Sequence, residues 1–109
     1  MFAIVLDRYL GDQRLSYNLL LTFTLRVGEE GSKPSGADII IEGSSGQRIS
    51  APIFAQGNPV PRTVKEDYKF RLNEHSSYQW TPRLTSIEFM RLLSNVTAIK
   101  IRGTYSSGG

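Results

Sequence analysis

The triplet Asn95-Val96-Thr97 has the residue types of an acceptor for N-linked glycosylation, with no proline at its middle position. Such triplets occur often by chance. This one falls at a predicted bend between a helix and a strand, where an asparagine side chain is accessible. If the acceptor is used, the chain passes through the secretory route. The same position also suits Asn95 as the residue that ends the helix, so both interpretations stay open.

The other reactive side chains offer little support for catalysis or metal binding. His75 is the only histidine and no Gly-x-Ser-x-Gly turn is present, so a loop histidine is favoured over a hydrolase base. Without cysteine, one histidine cannot complete a zinc site. Asp38, Glu42, Glu66 and Asp67 could offer oxygens to calcium, but they lack EF-hand spacing and we interpret them as solvated carboxylates. We expect no catalytic residue, no metal and no cofactor.

Two aromatic side chains, Tyr78 and Trp80, lie in a stretch without periodicity that is predicted to be a long loop. Exposed there, they could stack on a sugar or contact a partner, which makes a carbohydrate-binding β-sandwich the alternative function. Burial as anchors of the loop is the more frequent role of such residues. The stretch Gly43–Gly46 lacks the Lys-Ser/Thr of a phosphate-binding loop and is predicted to be a hairpin turn.

Charge and hydropathy exclude several classes of protein. Thirteen Lys and Arg against ten Asp and Glu give a net charge of +3. Both signs of charge are mixed from Arg62 to Arg71, with no basic stripe, so we expect no nucleic-acid partner. No apolar run approaches the roughly 18 residues of a membrane span. The apolar start Met1–Leu6 is too short for a signal peptide, so we expect any secretion signal to lie outside this chain.

Alternation of apolar and polar residues predicts several short strands. They cover Leu19–Val27, Ala37–Glu42, Gln47–Ala55, Asp67–Leu72 and Ala98–Gly103. The apolar face of the first strand consists of Leu19, Leu21, Phe23, Leu25 and Val27. Pro52 cannot donate a hydrogen bond to a ladder, which places its segment at a sheet edge or a bulge.

One short helix is predicted to begin after Thr85. Thr85-Ser-Ile-Glu88 fits the capping box, in which the Thr hydroxyl and the Glu carboxylate each accept from a backbone N–H of the other residue. The apolar arc expected to face the core consists of Ile87, Phe89, Met90, Leu92 and Leu93.

Several short strands between Gly/Pro turns, with no βαβ rhythm, define the fold class. The sequence predicts an all-β protein, an antiparallel jelly-roll-like β-sandwich with one short helix. At 109 residues the chain has the size of a single domain.

Five blocks of the sequence, in the same order, closely resemble the laminin IV type A module. They are Tyr9–Tyr17, Asp38–Gly43, Ile49–Pro59, Tyr68–His75 and Phe89–Tyr105. Within that family the similarity is greatest to the copy in laminin gamma chains, and the perlecan modules are more distant. The match covers roughly residues 9 to 105, and its blocks are long enough to be specific.

The resemblance implies a non-catalytic structural or interaction module of an extracellular basement-membrane laminin chain. It implies a secreted protein whose partners are the flanking laminin EGF-like repeats or other matrix proteins. Family members carry a triplet matching Asn95-Val96-Thr97, which strengthens the glycosylation hypothesis. The missing cysteines also fit, because the disulfides of these chains belong mainly to the flanking repeats.

The chain departs from the family pattern at both ends. The opening Met1–Arg8 lacks the proline of the family, and the chain stops at Gly109 before the family's closing strand. We therefore expect the single domain 1–109 to lack that strand. A neighbouring strand would then have unpaired backbone groups, and we expect reduced stability or self-association along that edge.

Overall fold

The computed structural model describes residues 2–5, 10–25, 38–59 and 64–102 of the chain. Over these residues it contains six strands and one helix. They are β1 (Phe2–Val5), β2 (Leu20–Leu25), β3 (Ile39–Gly43), β4 (Arg48–Ala51), β5 (Glu66–Arg71), α1 (Ser86–Ser94) and β6 (Val96–Arg102). Short 3₁₀ turns occur at Arg14–Ser16, Ala55–Gly57 and Ser76–Tyr78.

The strands form two antiparallel sheets with the core between them. One sheet has four strands in the order β1-β6-β3-β4, and the other pairs β2 with β5. Apolar side chains from both sheets and from α1 join in one buried cluster. The all-β antiparallel sandwich with one short helix is therefore confirmed.

Strand β5 shows why alternation predicted the sheet well. Tyr68 and Phe70 are buried, whereas Asp67 and Lys69 between them are exposed. The ring of Phe23 on β2 stacks on both buried rings, with centroids 5.3 Å from Tyr68 and 5.8 Å from Phe70. These ring pairs hold β2 and β5 in register over the core.

The hairpin between β3 and β4 is also confirmed. The chain turns at Ser44 and Ser45, and the Gly43 N–H donates to the Gln47 carbonyl across the turn. Gly43 lies close to α1, because a Cβ there would stand 3.0 Å from the Leu92 carbonyl oxygen. Pro52 follows the last residue of β4, which is the edge strand of its sheet, as the proline indicated.

The prediction for Leu19 is wrong. The Leu19 N–H donates to the Ser16 carbonyl in a turn before β2, and its side chain is 56% exposed. The alternation starts only where the strand does, with Leu21 and Phe23 buried. Val27 and the side chain of Leu25 lie outside the described residues.

Helix α1 has the predicted capping box, with Thr85 as its N-cap. Phe89, Leu92 and Leu93 are buried, but Ile87 is 70% exposed, so its place in the apolar arc is wrong. At about 100° per residue, Ile87 lies about 200° from Phe89 and faces away from the core.

The N-terminal segment contributes a strand that the sequence did not predict. Strand β1 pairs antiparallel with β6, with Phe2 opposite Arg102 and Val5 opposite Lys100. Residues 103–109, on which the expectation of a missing closing strand and a free edge rests, lie outside the described residues. Within the described part of the chain, no helix is long and apolar enough to cross a membrane.

Candidate functional site

Asn95 lies between α1 and β6, with its side chain exposed to solvent. It is the C-cap residue of the helix, with φ −156° and ψ 89°. Its carbonyl oxygen accepts a hydrogen bond of 3.1 Å from the Ser44 N–H in the β3–β4 turn. The backbone at Asn95 is thus held by the helix and the hairpin, while the amide side chain points outward.

The other two residues of the triplet are held within the sheet. Val96 is 2% exposed, and its N–H and carbonyl both bond to Gly11, at 2.7 and 2.8 Å. The exposed Thr97 hydroxyl donates to the Glu42 carbonyl over 3.2 Å. The triplet therefore combines a reachable asparagine with a middle residue that belongs to the core.

Trp80 is an anchor of its loop. The side chain is 3% exposed, its indole N–H donates to the Arg71 carbonyl over 2.8 Å, and its ring lies 5.8 Å from that of Phe70. Tyr78 is half-buried and packs against the same core. The indole thus presents no open face for stacking on a sugar.

Near this loop, the side-chain amides of Gln56 and Asn58 bond to strand β5, which sequence reasoning missed. Asn58 bonds to the backbone of Lys69, and Gln56 accepts from the Arg71 N–H over 2.6 Å. Gln56 in turn donates from its own N–H to the side chain of Gln79 over 3.1 Å. No sequence signal marked these residues, because amides in a Gly/Pro-rich stretch are typical of an ordinary turn.

His75 is a turn cap. Its Nδ1 accepts from the Ser77 N–H over 3.1 Å and lies 2.9 Å from the Ser77 hydroxyl, at the start of the Ser76–Tyr78 turn. The neighbouring Glu74 accepts a hydrogen bond from the Tyr17 hydroxyl, which raises the pKa of Tyr17. The Nδ1 atom of the imidazole thus makes its hydrogen bonds within its own turn.

The interpretation of the four acidic residues as solvated is wrong for Asp38. This side chain is 0% exposed, and its Oδ2 accepts from the Ile53 N–H over 2.9 Å. Glu42 pairs with Lys100 at 3.0 Å, and Asp67 accepts from the Thr24 hydroxyl at 3.2 Å. In the ranges that the structure describes, no three acidic or histidine side chains converge on one point.

In the part of the chain that the structure describes, the space between the helix and the sheets offers little room for a ligand. A cavity of about 10 Å³ lies between the helix and the sheets, lined by Gln13, Ile41, Leu72, Leu93, Val96 and Ile99. This volume is close to that of one water molecule and far below that of a small-molecule site.

These features define a class: a small antiparallel β-sandwich whose reactive side chains hydrogen-bond within the fold. The chain matches the family model for laminin B (domain IV) over residues 5–109 and belongs to that family. The family expected from the sequence blocks is confirmed.

Relatives in several animals align with nearly the whole length of this chain. The chain is 48% identical to human laminin subunit gamma-1 over 96% of its length and 46% identical to human laminin subunit gamma-2 over 96%. It is 45% identical to the laminin-like protein lam-2 of Caenorhabditis elegans over 97%. The match spans only 6% of the gamma-1 and lam-2 chains and 9% of the gamma-2 chain.

A solved structure shares the fold. The L4b domain of human laminin alpha-2 matches with a TM-score of 0.71 at 17% identity, over 94% of this chain and 60% of that one. The similarity shows that the two chains share a fold.

Proposed function

We propose that residues 1–109 are a single non-catalytic structural module of an extracellular laminin chain. The observation that carries the proposal is the 48% identity to laminin subunit gamma-1 over 96% of this chain, which spans only 6% of that relative. A match of this form is typical of one module in a long multidomain protein. The partners we infer are the flanking laminin EGF-like repeats and other matrix proteins of the basement membrane.

The arrangement of reactive side chains supports a role without catalysis. His75 caps a turn, Asp38 bonds to the backbone of Ile53, and Glu42 pairs with Lys100. Each group stabilises the fold at its own place, and an acid–base pair needs two such groups converging on one reacting atom. The buried Trp80 likewise gives the carbohydrate-binding alternative no supporting observation.

We also propose that Asn95 carries an N-linked glycan and that the module is secreted. Its exposed side chain lies outside the core, so a glycan there would extend into solvent without displacing a packed residue. Neither Asn95 nor the exposed side of Thr97 contributes an apolar group to the buried cluster.

Expression behind a heterologous secretion signal tests both statements. We expect the chain in the medium with a mass that falls on glycosidase treatment. Asn95→Gln and Thr97→Ala should each remove the same mass, because one lacks the acceptor and the other the hydroxyl that the acceptor triplet requires. Asn73→Gln, which changes an asparagine outside any such triplet, is the matched control and should keep the glycan.

The outcomes separate the two proposals. A chain that is secreted, folded and free of glycan would disprove modification at Asn95 and leave the secreted module intact. A chain retained in the cell as misfolded protein, in the parent and the Asn73→Gln control alike, would overturn the proposal that these residues form a secreted module.

A further inference from the structure

The edge of β5 that faces away from β2 is covered by side chains. Asn58 accepts from the Lys69 N–H over 2.9 Å and donates to the Lys69 carbonyl over 2.8 Å. Gln56 accepts from the Arg71 N–H over 2.6 Å, and the Trp80 indole donates to the Arg71 carbonyl over 2.8 Å. The N–H and carbonyl groups of Lys69 and Arg71, which lie on the edge away from β2, thus all have hydrogen-bond partners without a neighbouring strand. We call Gln56, Asn58 and Trp80 the amide cover.

The Asn58 amide imitates a residue of a neighbouring strand. A carboxamide carries an N–H donor and a carbonyl acceptor side by side, as the backbone does. In an antiparallel ladder, one residue exchanges both of these bonds with the residue opposite. Asn58 makes the same double exchange with Lys69, so it occupies the place at which a further strand would pair.

The cover is held in place by its own hydrogen bonds. Asn58 donates a second time, to the Ala55 carbonyl at 2.8 Å, and Gln56 donates from its amide to the Tyr78 carbonyl at 3.1 Å. The Gln56 N–H donates to Gln79, and Gln56 adopts the left-handed conformation with φ +61°. Such a conformation is uncommon for a residue other than glycine, and these bonds fix it.

An uncovered strand edge is a template for pairing with another chain. We propose that the amide cover prevents β5 from pairing with β5 of a second copy of this chain. Asp67 and Arg71 lie two residues to either side of Lys69, so antiparallel two-fold pairing centred on Lys69 sets each Asp67 opposite an Arg71 of the second copy. Two such ion pairs favour this register, although the like charges of the two Lys69 side chains, which lie opposite each other at its centre, repel.

The double variant Gln56→Ala/Asn58→Ala tests the proposal. Light scattering over a range of concentrations should give a monomer for the parent chain and a mass rising about twofold for the variant. Asn73→Ala is the control: it removes two side-chain hydrogen bonds, from the His75 N–H and to Asn18, away from the β5 edge. It should remain a monomer. A folded double variant that stays monomeric at every concentration overturns the proposal.

A gentler variant decides the question if the double variant fails to fold. Asn58→Ala removes the acceptor of the Lys69 N–H and the two bonds that Asn58 donates, and it leaves Gln56 in place. Hydrogen exchange at the Lys69 N–H should be slow in the parent at all concentrations. In the variant it should be faster in dilute solution and slow again as concentration rises. Exchange that is unchanged, or faster at every concentration, overturns the proposal.

Discussion

Tyr68 combines full burial with a hydroxyl that has no hydrogen-bond partner among the described residues. Burial, and secondarily the charge of Glu66, raise the pKa of Tyr68 to about 12. The neutral phenol therefore holds its proton more tightly in the folded than in the unfolded chain. The stability that the neutral phenol contributes is fully present below the ordinary tyrosine pKa of about 10, and it is lost as the pH rises through about 12.

Tyr68→Phe should leave the free energy of unfolding unchanged near neutral pH or raise it by up to about 1 kcal/mol, because it removes an unsatisfied buried group. Between about pH 10 and pH 12 the parent should lose stability relative to the variant. Urea unfolding followed by circular dichroism at both ends of this range measures the difference. Equal losses in parent and variant would show that Tyr68 does not titrate with unfolding.

Tyr17→Phe is the control for this experiment. The Tyr17 hydroxyl donates to Glu74, so its removal should cost about 1 kcal/mol near neutral pH. If Tyr68→Phe lowered the free energy of unfolding as much as Tyr17→Phe does, the Tyr68 hydroxyl would make a hydrogen bond of similar strength.

The capping box stabilises the first turn of helix α1. The Glu88 carboxylate accepts from the Thr85 N–H at 2.9 Å, and the Thr85 hydroxyl accepts from the Glu88 N–H at 3.1 Å. The hydrogen bond from the Thr85 backbone lowers the pKa of Glu88. The stability that this hydrogen bond contributes is present above the ordinary pKa of the Glu88 carboxyl, and it is lost as the pH falls through the lowered pKa.

Thr85→Ala should lower the free energy of unfolding by about 1 kcal/mol, because the Glu88 N–H loses its acceptor at the helix start. Chemical denaturation near neutral pH measures this loss. Ile87→Ala, in the same turn but exposed, should change stability by less than about 0.5 kcal/mol. A larger loss for Ile87→Ala than for Thr85→Ala would show that Ile87 is packed and that the cap is dispensable.

The sequence predicted some elements correctly and missed others, and the difference has a physical reason. The alternation in β5 and the capping box of α1 depend on residues at most a few positions apart, and both were read correctly. Ile87 was misplaced because a nine-residue helix has few turns over which to define its apolar face. Strand β1 was missed because its partner β6 lies at the other end of the described chain.

On the scale of the whole molecule, two adjacent residues tie the sheets together. The Trp80 indole bonds to Arg71 on β5 in the two-stranded sheet. Thr81 exchanges backbone hydrogen bonds of 2.8 Å with Ser50 on β4 in the four-stranded sheet. The loop thus joins the β4 and β5 edges of the sandwich.

Trp80→Phe should destabilise the whole domain by about 1 to 3 kcal/mol, because the Arg71 carbonyl loses its donor and the smaller ring leaves space in the core. Thermal unfolding should remain a single transition at a lower midpoint, since the loop contacts both sheets. Tyr78→Phe, a half-buried neighbour that loses only a hydroxyl, should stay within about 0.5 kcal/mol of the parent. Two separate transitions in Trp80→Phe would show that each sheet unfolds alone.

The sequence by itself determined the fold class, the strongest strand, the helix start and membership in the laminin B (domain IV) family. These depend on local periodicity and on long sequence blocks, which are visible along the chain. Only the tertiary structure decided that Trp80 and Asp38 are buried and that Gln56 and Asn58 cover the β5 edge. The reason is that a polar or aromatic residue in a loop is buried or exposed according to partners far along the chain. Those partners come within hydrogen-bond distance only when the two sheets close over one core.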